Sequence, residues 1–185
     1  MRGGERVLET FCEMFPDADI YTHVVDRSKL SDTLNRHEIK TTFISKLPFA
    51  TSQYQKYLPF MPRALEELDL TDYDLVISSE SGPAKGVITS PDAFHLCYCH
   101  SPMRYIWDLY PHYYGTAGFL ARQVFPGIAH RLRTWDVTSA ARGDQFVANS
   151  NFVSRRIQKF YRRDSEVVFP PVAVSDFAQA RTDGP

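Results

Sequence analysis

Residues 145–172 read QFVANSNFVSRRIQKFYRRDSEVVFPPV. A short β-rich run, QFVANS (145–150), passes at once into a helical segment, NFVSRRIQKFYRR (151–163), and then into a second β-rich run, SEVVFPPV (165–172). That is the strand, crossover, strand rhythm of a parallel sheet. The same alternation runs back toward the N-terminus. FHLCYCH (94–100), YDLVISS (73–79), IKTTFI (39–44) and ADIYTHVV (18–25) read as further strands, and YQKYLPFMPRALEELDL (54–70) as a proline-interrupted helical stretch. In GERVLETFCEMF (4–15), Val7, Leu8, Phe11, Met14 and Phe15 recur at helical spacing behind Gly3-Gly4, and Pro16 stops the run. The pattern predicts an α/β fold, a doubly wound parallel sheet of Rossmann-like type.

Composition supports one globular unit. The 185 residues are 43% hydrophobic and 23% charged, which excludes a disordered or low-complexity chain. With 21 basic against 22 acidic residues, the body as a whole is not an electrostatic footprint for nucleic acid. The charge is uneven, however: residues 119–163 hold nine basic and two acidic side chains. Cys12, Cys97 and Cys99 are an odd set without framework spacing and point to a reducing compartment. No apolar run approaches the roughly 20 residues of a membrane span, and Met1 is followed by polar RGGER, so a cytoplasmic location is expected.

In open parallel sheets the reactive groups gather beyond the carboxyl ends of the strands. Three clusters qualify: Ser78 to Gly82, His100 to Arg104 and Asn149 to Asn151. Arg2-Gly3-Gly4-Glu5 stands before a helix, where backbone N–H groups can approach a phosphate; the same residues also suit an ordinary helix start. His95, Cys97 and Cys99 share one strand face, but successive same-face residues lie about 6.6 Å apart, poor for converging on one ion, so these read as buried structure and no metal is expected. His100 falls on the other face, where the chain leaves the sheet. PMRYIWDLY (102–110) reads as a short helix whose Arg104 and Asp108 form an i,i+4 surface pair. GFLARQVFPGIAHRLRTW (118–135) puts Leu120, Val124, Ile128, Leu132 and Trp135 at helical spacing with a kink at Pro126-Gly127. Both core packing and a membrane-surface helix fit that pattern. Arg155, Arg156, Lys159, Arg162 and Arg163 form a second basic surface.

Taken in order, GGERVLE, HLCYCHSPMRYIWDLY, VANSNFVSRRIQKFY and VVFPPV resemble the N-terminal, acceptor-binding domain of family 4 glycosyltransferases, retaining enzymes of the GT-B fold, in particular mannosyltransferase-like members. The resemblance implies one half of a GT-B fold, with residues 1–172 as the N-terminal domain and 173–185 as the start of the hinge toward a donor domain that the chain lacks. It implies transfer of a mannose-like hexose from a nucleotide sugar to a glycan or lipid-linked glycan, in polysaccharide biosynthesis, with no cofactor beyond the donor substrate. By the same resemblance Gly3 and Gly4 face the donor diphosphate and His100 meets the donor sugar near the reacting carbon. Arg104, Tyr105 and Trp107 fall on the acceptor side, Asn149 and Ser150 at the cleft edge. Ser81 and Gly82, beyond the third strand read here, complete the acceptor side of the cleft.

The departures from the family pattern set further expectations. The family's first, central strand precedes the glycine loop, and here the chain begins at the loop, so that strand is expected to be absent. A sheet without it carries open edges, which predicts marginal stability. The donor-binding residues of the second domain are not in this sequence, so the chain alone is expected to transfer no sugar. The rival readings are a stand-alone acceptor-binding or membrane-docking module built on residues 103–135, peripheral at the inner face of the plasma membrane, one chain of a split transferase, and a hydrolase using Ser81 and His100.

Overall fold

The computed structural model describes residues 3–172; Arg2 and the 173–185 hinge segment lie outside the described residues. The chain opens with α1 (Gly3–Met14), whose apolar positions recur every three to four residues and whose end is fixed by Pro16 two residues on. β1 (Ile20–Thr22), α2 (Asp32–Asn35) and β2 (Ile39–Thr41) follow, α2 being capped by Ser31, whose Oγ accepts from Leu34 N at 3.4 Å. The stretch after α3 (Ala50–Gln53) splits at its prolines into a tight 3-10 segment, Tyr54–Phe60, and α4 (Met61–Glu66). β3 (Leu75–Glu80) and β4 (Phe94–Cys99) come next, then α5 (Tyr110–Thr116) and α6 (Phe119–Ser139). β5 (Gln145–Ala148), α7 (Asn151–Tyr161) and β6 (Glu166–Val167) complete the chain.

Every strand pair is parallel, and the class is α/β with helices against the sheets, a Rossmann-like arrangement. Hydrogen bonding divides the strands into two groups, β1–β2 and β3–β4–β5–β6. Among the described residues β1 pairs only with β2 and β3 only with β4, so each keeps one open edge.

α1 joins the two groups. Its Val7 and Phe11 pack on Leu96, Tyr98 and Val147 of the four-stranded sheet, with Phe11 edge-on to Tyr98 at 5.7 Å. One residue around the helix, Leu8 and Cys12 pack on Ile20, Leu34 and Ile39 of the two-stranded side. Burying Val7 alone is worth roughly 2 kcal/mol. A second tie runs through Tyr73, just before β3, whose hydroxyl donates to Asp19 and lies 3.0 Å from the hydroxyl of Tyr21. Lys40 on β2 reaches both Asp19 at 2.7 Å and Tyr73 at 3.2 Å.

The opposite face of β4 and β5 carries Cys97, Cys99, Phe146 and Ala148, packed on Ala140, Val153, Ile157 and Tyr161. The period of two along β4 thus sends Leu96 and Tyr98 toward α1 and His95, Cys97 and Cys99 away from it. His95 is fully buried, its Nε2 2.9 Å from Ser78 Oγ and its Nδ1 3.3 Å from the Arg142 carbonyl, so its role is structural.

Two readings of the aromatic region change. Residues 104–109 form turns rather than a helix, and Asp108 pairs with Arg156 on α7, not with Arg104. The reason is burial: Arg156 is almost fully enclosed and needs an anion, whereas Arg104 is exposed and already solvated. α6 also runs unbroken through Pro126. That proline is exposed, and the one N–H it lacks costs the helix its bond to the Arg122 carbonyl without ending it.

Candidate active site

Parallel register sets the level of the site. Glu80 lies beside Cys99, and Cys99 beside Ala148, so the residues next in sequence, Ser81, His100 and Asn149, leave the sheet at one height. α1 delivers its N-terminus to the same corner. A Cβ added to Gly4 would stand 3.7 Å from His100 Nε2 and 3.9 Å from its Cε1, ordinary contact distances, so the bare backbone of the first turn sits against the imidazole edge. The first N–H groups of a helix have no partners within it, and together with the aligned peptide dipoles they favour an anion there.

His100 is half-buried and flanked edge-on by Tyr98 at 5.3 Å. Its Nε2 lies 2.9 Å from Ser79 Oγ on β3, while Nδ1 has no hydrogen-bond partner among the described residues. Burial pushes its pKa below the usual histidine range, so the neutral ring prevails at pH 7 and offers one donor and one acceptor. A neutral imidazole held by a hydroxyl can orient a ligand's hydroxyl group without adding charge to the site. The orienting partner, Ser79, lies inside the Ser78 to Gly82 cluster at the end of β3. Strand alternation singles it out, because its register partner Tyr98 is on the same face as His100.

The remaining candidates divide. Ser81 is exposed and Gly82 half-buried in the bend after β3, with open space where a Gly82 side chain would project. Asn149 N donates to the Cys99 carbonyl at 3.3 Å. Ser150 is the N-cap of α7, its Oγ accepting from Val153 N at 3.3 Å and lying 3.1 Å from Asn149 Oδ1. The hydroxyl of Ser150 is therefore occupied in holding a helix. Arg104 is exposed, and Tyr105 packs edge-on to Tyr113 at 6.3 Å. Trp107 is committed to the scaffold: its Nε1 donates to the buried carboxylate of Asp136 at 2.7 Å, and its ring stacks on Phe160 at 4.8 Å.

The segment 101–109 is thus fastened at three points. Trp107 is held by Asp136, the Ile106 carbonyl by Arg133 at 2.5 Å, and Asp108 with the Pro102 carbonyl by Arg156. These anchors fix the exit of the chain from β4 and hence the seat of His100. The Arg156 anchor also holds the Asp108 carboxyl below its usual range. Of the five basic residues expected to form a surface on the last helix, Arg156 is buried in this way. Arg163 spends its guanidinium on the carbonyls of Ala140, Gly143 and Asp144, leaving Arg155, Lys159 and Arg162 to solvent.

A second strand-end histidine escaped the sequence reading. His23 follows β1 directly, its Nδ1 3.0 Å from Thr42 Oγ, and burial lowers its pKa to about 4. The strand-end rule applied to ADIYTHVV, the weakest of the β-rich runs, would have found it.

Neither the curated proteins nor the solved structures contain a significant match to this chain. A family comparison does: the Glycosyltransferase Family 4 pattern matches residues 1–176. That span holds every described strand and helix together with the Gly4, Ser79 and His100 corner, and the chain belongs to Glycosyltransferase Family 4.

Proposed function

We propose that this chain is the acceptor-binding half of a retaining GT-B enzyme that moves a mannose-like hexose from a nucleotide sugar to a glycan or lipid-linked glycan. The observation that carries the reading is the corner where the α1 N-terminus meets His100. One side offers the backbone of a helix's first turn at Gly3 and Gly4 for a diphosphate, the other a neutral imidazole for a sugar hydroxyl. Gly3 and Gly4 face the diphosphate in this reading, His100 contacts the transferred sugar, and Ser79 fixes its ring. Arg104, Tyr105, Ser81, Gly82 and Asn149 border the acceptor. Glycosyl transfer asks for little covalent chemistry from these groups and much stabilisation of a departing diphosphate and a cationic sugar centre.

The corner is one wall of a cleft, and most of the donor contacts belong to a second domain. In this reading the domain binds the acceptor and works in the cytoplasm at a membrane surface from which a lipid-linked acceptor is taken. The test is to incubate the purified chain with hexose nucleotides and with glycan or lipid-linked acceptors, following transfer and the NMR signals of Gly4, Ser79 and His100. Shifts at those three residues are expected, and silence of all three toward every donor and acceptor would refute the site.

A further inference from the structure

β1 ends on Thr22, and the chain leaves the sheet at His23, beside Thr42, the residue that follows β2. α1 shows which end of the domain this is. Gly4 in its first turn stands against His100, just past β4, while Leu8 and Cys12, about one and two turns on, pack on Ile20 and Ile39, the first residues of β1 and β2. α1 therefore runs antiparallel to both strand groups, and His23 leaves its strand at the end where Ser81, His100 and Asn149 leave theirs. His23 also borders the acceptor side. Its neighbour Val24 packs in the cluster around Ile44 and Met61, Tyr105 packs in the cluster around Met103 and Ile106, and Leu58 is common to both.

Hydrogen bonding decides what the ring can offer. His23 Nδ1 lies 3.0 Å from Thr42 Oγ, and Thr42 is buried, with no other partner for its hydroxyl among the described residues. A buried O–H without an acceptor is costly, so the hydroxyl donates to Nδ1. A neutral imidazole carries one ring proton, which then sits on Nε2. Among the described residues the buried side-chain nitrogen or oxygen left without a partner is Arg156 Nε; His23 Nε2, likewise unpartnered, therefore reaches solvent. Burial holds the ring's pKa down to about 4, so it stays neutral at physiological pH. The outcome is an uncharged N–H donor of fixed direction at the strand end. Such a group suits a neutral sugar oxygen, whereas a phosphate is better served by a charged donor. We propose that His23 binds the acceptor sugar, its Nε2–H donating to a hydroxyl oxygen other than the attacking one, which needs its lone pair free, and that Thr42 is the positioning residue that fixes the tautomer. This adds a contact to the acceptor side of the cleft and rests on the acceptor-binding reading above.

Long-range proton–nitrogen correlation spectra of the full 185-residue chain at pH 7, without ligand, should show His23 with its proton on Nε2. Titration with mannotriose, and with farnesyl diphosphate carrying N-acetylglucosamine, is then run with no nucleotide sugar present. The acceptor that binds should move the His23 ring signals together with the backbone signals of Ser81, Gly82 and Tyr105. His23→Phe should weaken that acceptor by about three- to tenfold, the loss of one neutral hydrogen bond. His23→Gln, whose amide nitrogen reaches the place of Nε2, should recover most of the affinity. Thr42→Val leaves the imidazole in place but releases its tautomer, so the spectra should show both forms and affinity should fall severalfold, an effect that a merely structural histidine would not give. A proton on Nδ1 in the ligand-free chain overturns the proposal. So does movement of Ser81, Gly82 and Tyr105 with His23 still, or unchanged affinity in His23→Phe; these results leave the acceptor-binding reading standing. Silence of all four residues toward both acceptors overturns that reading, and the role of His23 with it.

Discussion

Replacing Gly86 by alanine tests the packing that seats α6 behind the site. Gly86 closes a short 3-10 turn after β3, is buried, and has none of the positive-φ geometry that only glycine tolerates, so alanine adds no backbone strain. The whole cost lies in one contact. A Cβ there would overlap Trp135 Cζ2 and Cη2, and the ring edge must retreat by more than about 1 Å to restore an ordinary distance. Trp135 cannot retreat freely. Its Nε1 donates to Glu66 Oε1 at 2.8 Å, the same carboxylate oxygen takes Arg142 at 2.7 Å, and the other arm of Arg142 reaches the Gly86 carbonyl at 2.5 Å. Moving the ring therefore loosens a closed cycle of four residues. Overpacking costs about 1–3 kcal/mol and a lost bond to a charged acceptor about 1.5–3, against a gain of at most about 1 from stiffening the unfolded chain. The expected loss is about 2–3 kcal/mol, or roughly 5–10 °C in melting temperature at this size. Urea unfolding followed by tryptophan fluorescence measures it, and Trp135→Leu supplies the cycle: the double variant should be more stable than the sum of the singles by at least about 1 kcal/mol. A loss under about 0.5 kcal/mol, or strict additivity, would refute the argument.

Three further outcomes follow from the same structure. Asp136→Asn removes the charge from a buried carboxylate that accepts from Lys85, Trp107 and Tyr161, and should lower stability by about 2–4 kcal/mol; an unchanged urea midpoint would contradict the network. Burial holds His23 near about 4 and also lowers His95 and His100, so the fold keeps these rings neutral while the unfolded chain takes up protons from about pH 6.5 downward. Stability should therefore be full above about pH 6.5 and fall as pH drops toward 4. The His23 share is at most about 3 kcal/mol and less for a ring partly in water, and a flat profile across that window measured by denaturant titration would exclude it. The open edges of β1 and β3 should keep thermal melting below about 45 °C; a cooperative melt well above that would show that α1 and the Tyr73 tie hold the two strand groups unaided.

What the sequence made legible tracks how local the governing physics was. Each strand was visible as a β-rich run and α1 as an apolar repeat ended by Pro16, because alternation and helical spacing are written into consecutive residues. The strand-end rule reached His100 and its neighbours for the same reason. Long-range partners were not legible. Asp108 has a cation four residues before it, yet its partner is Arg156, 48 residues on, chosen by burial that no spacing encodes. The resemblance placed Trp107 on the acceptor side, and only the fold reveals its long-range partners, Asp136 and Phe160. The stripe along 118–135 fitted both core packing and a membrane-surface helix, and the structure buries residues only in its second half, from Ala129 on.

The histidines in and just after β4 explain why residue type alone could not separate site from scaffold. His95 and His100 are five residues apart, an odd spacing that sends them to opposite faces of the sheet. Each has its Nε2 2.9 Å from a serine hydroxyl, His95 from Ser78 and His100 from Ser79, because those consecutive serines also alternate faces on the neighbouring strand. Each is driven toward its neutral form by burial. Chemically they are the same pair built twice. The difference is position: His95 lies inside the four-stranded sheet with both ring nitrogens engaged and no exposed surface, whereas His100 stands one residue past the strand, half open, beside the first turn of α1 at Gly4. A serine-held imidazole is a structural device wherever both nitrogens are spent, and becomes a candidate for catalysis where the strand ends and one nitrogen is left over.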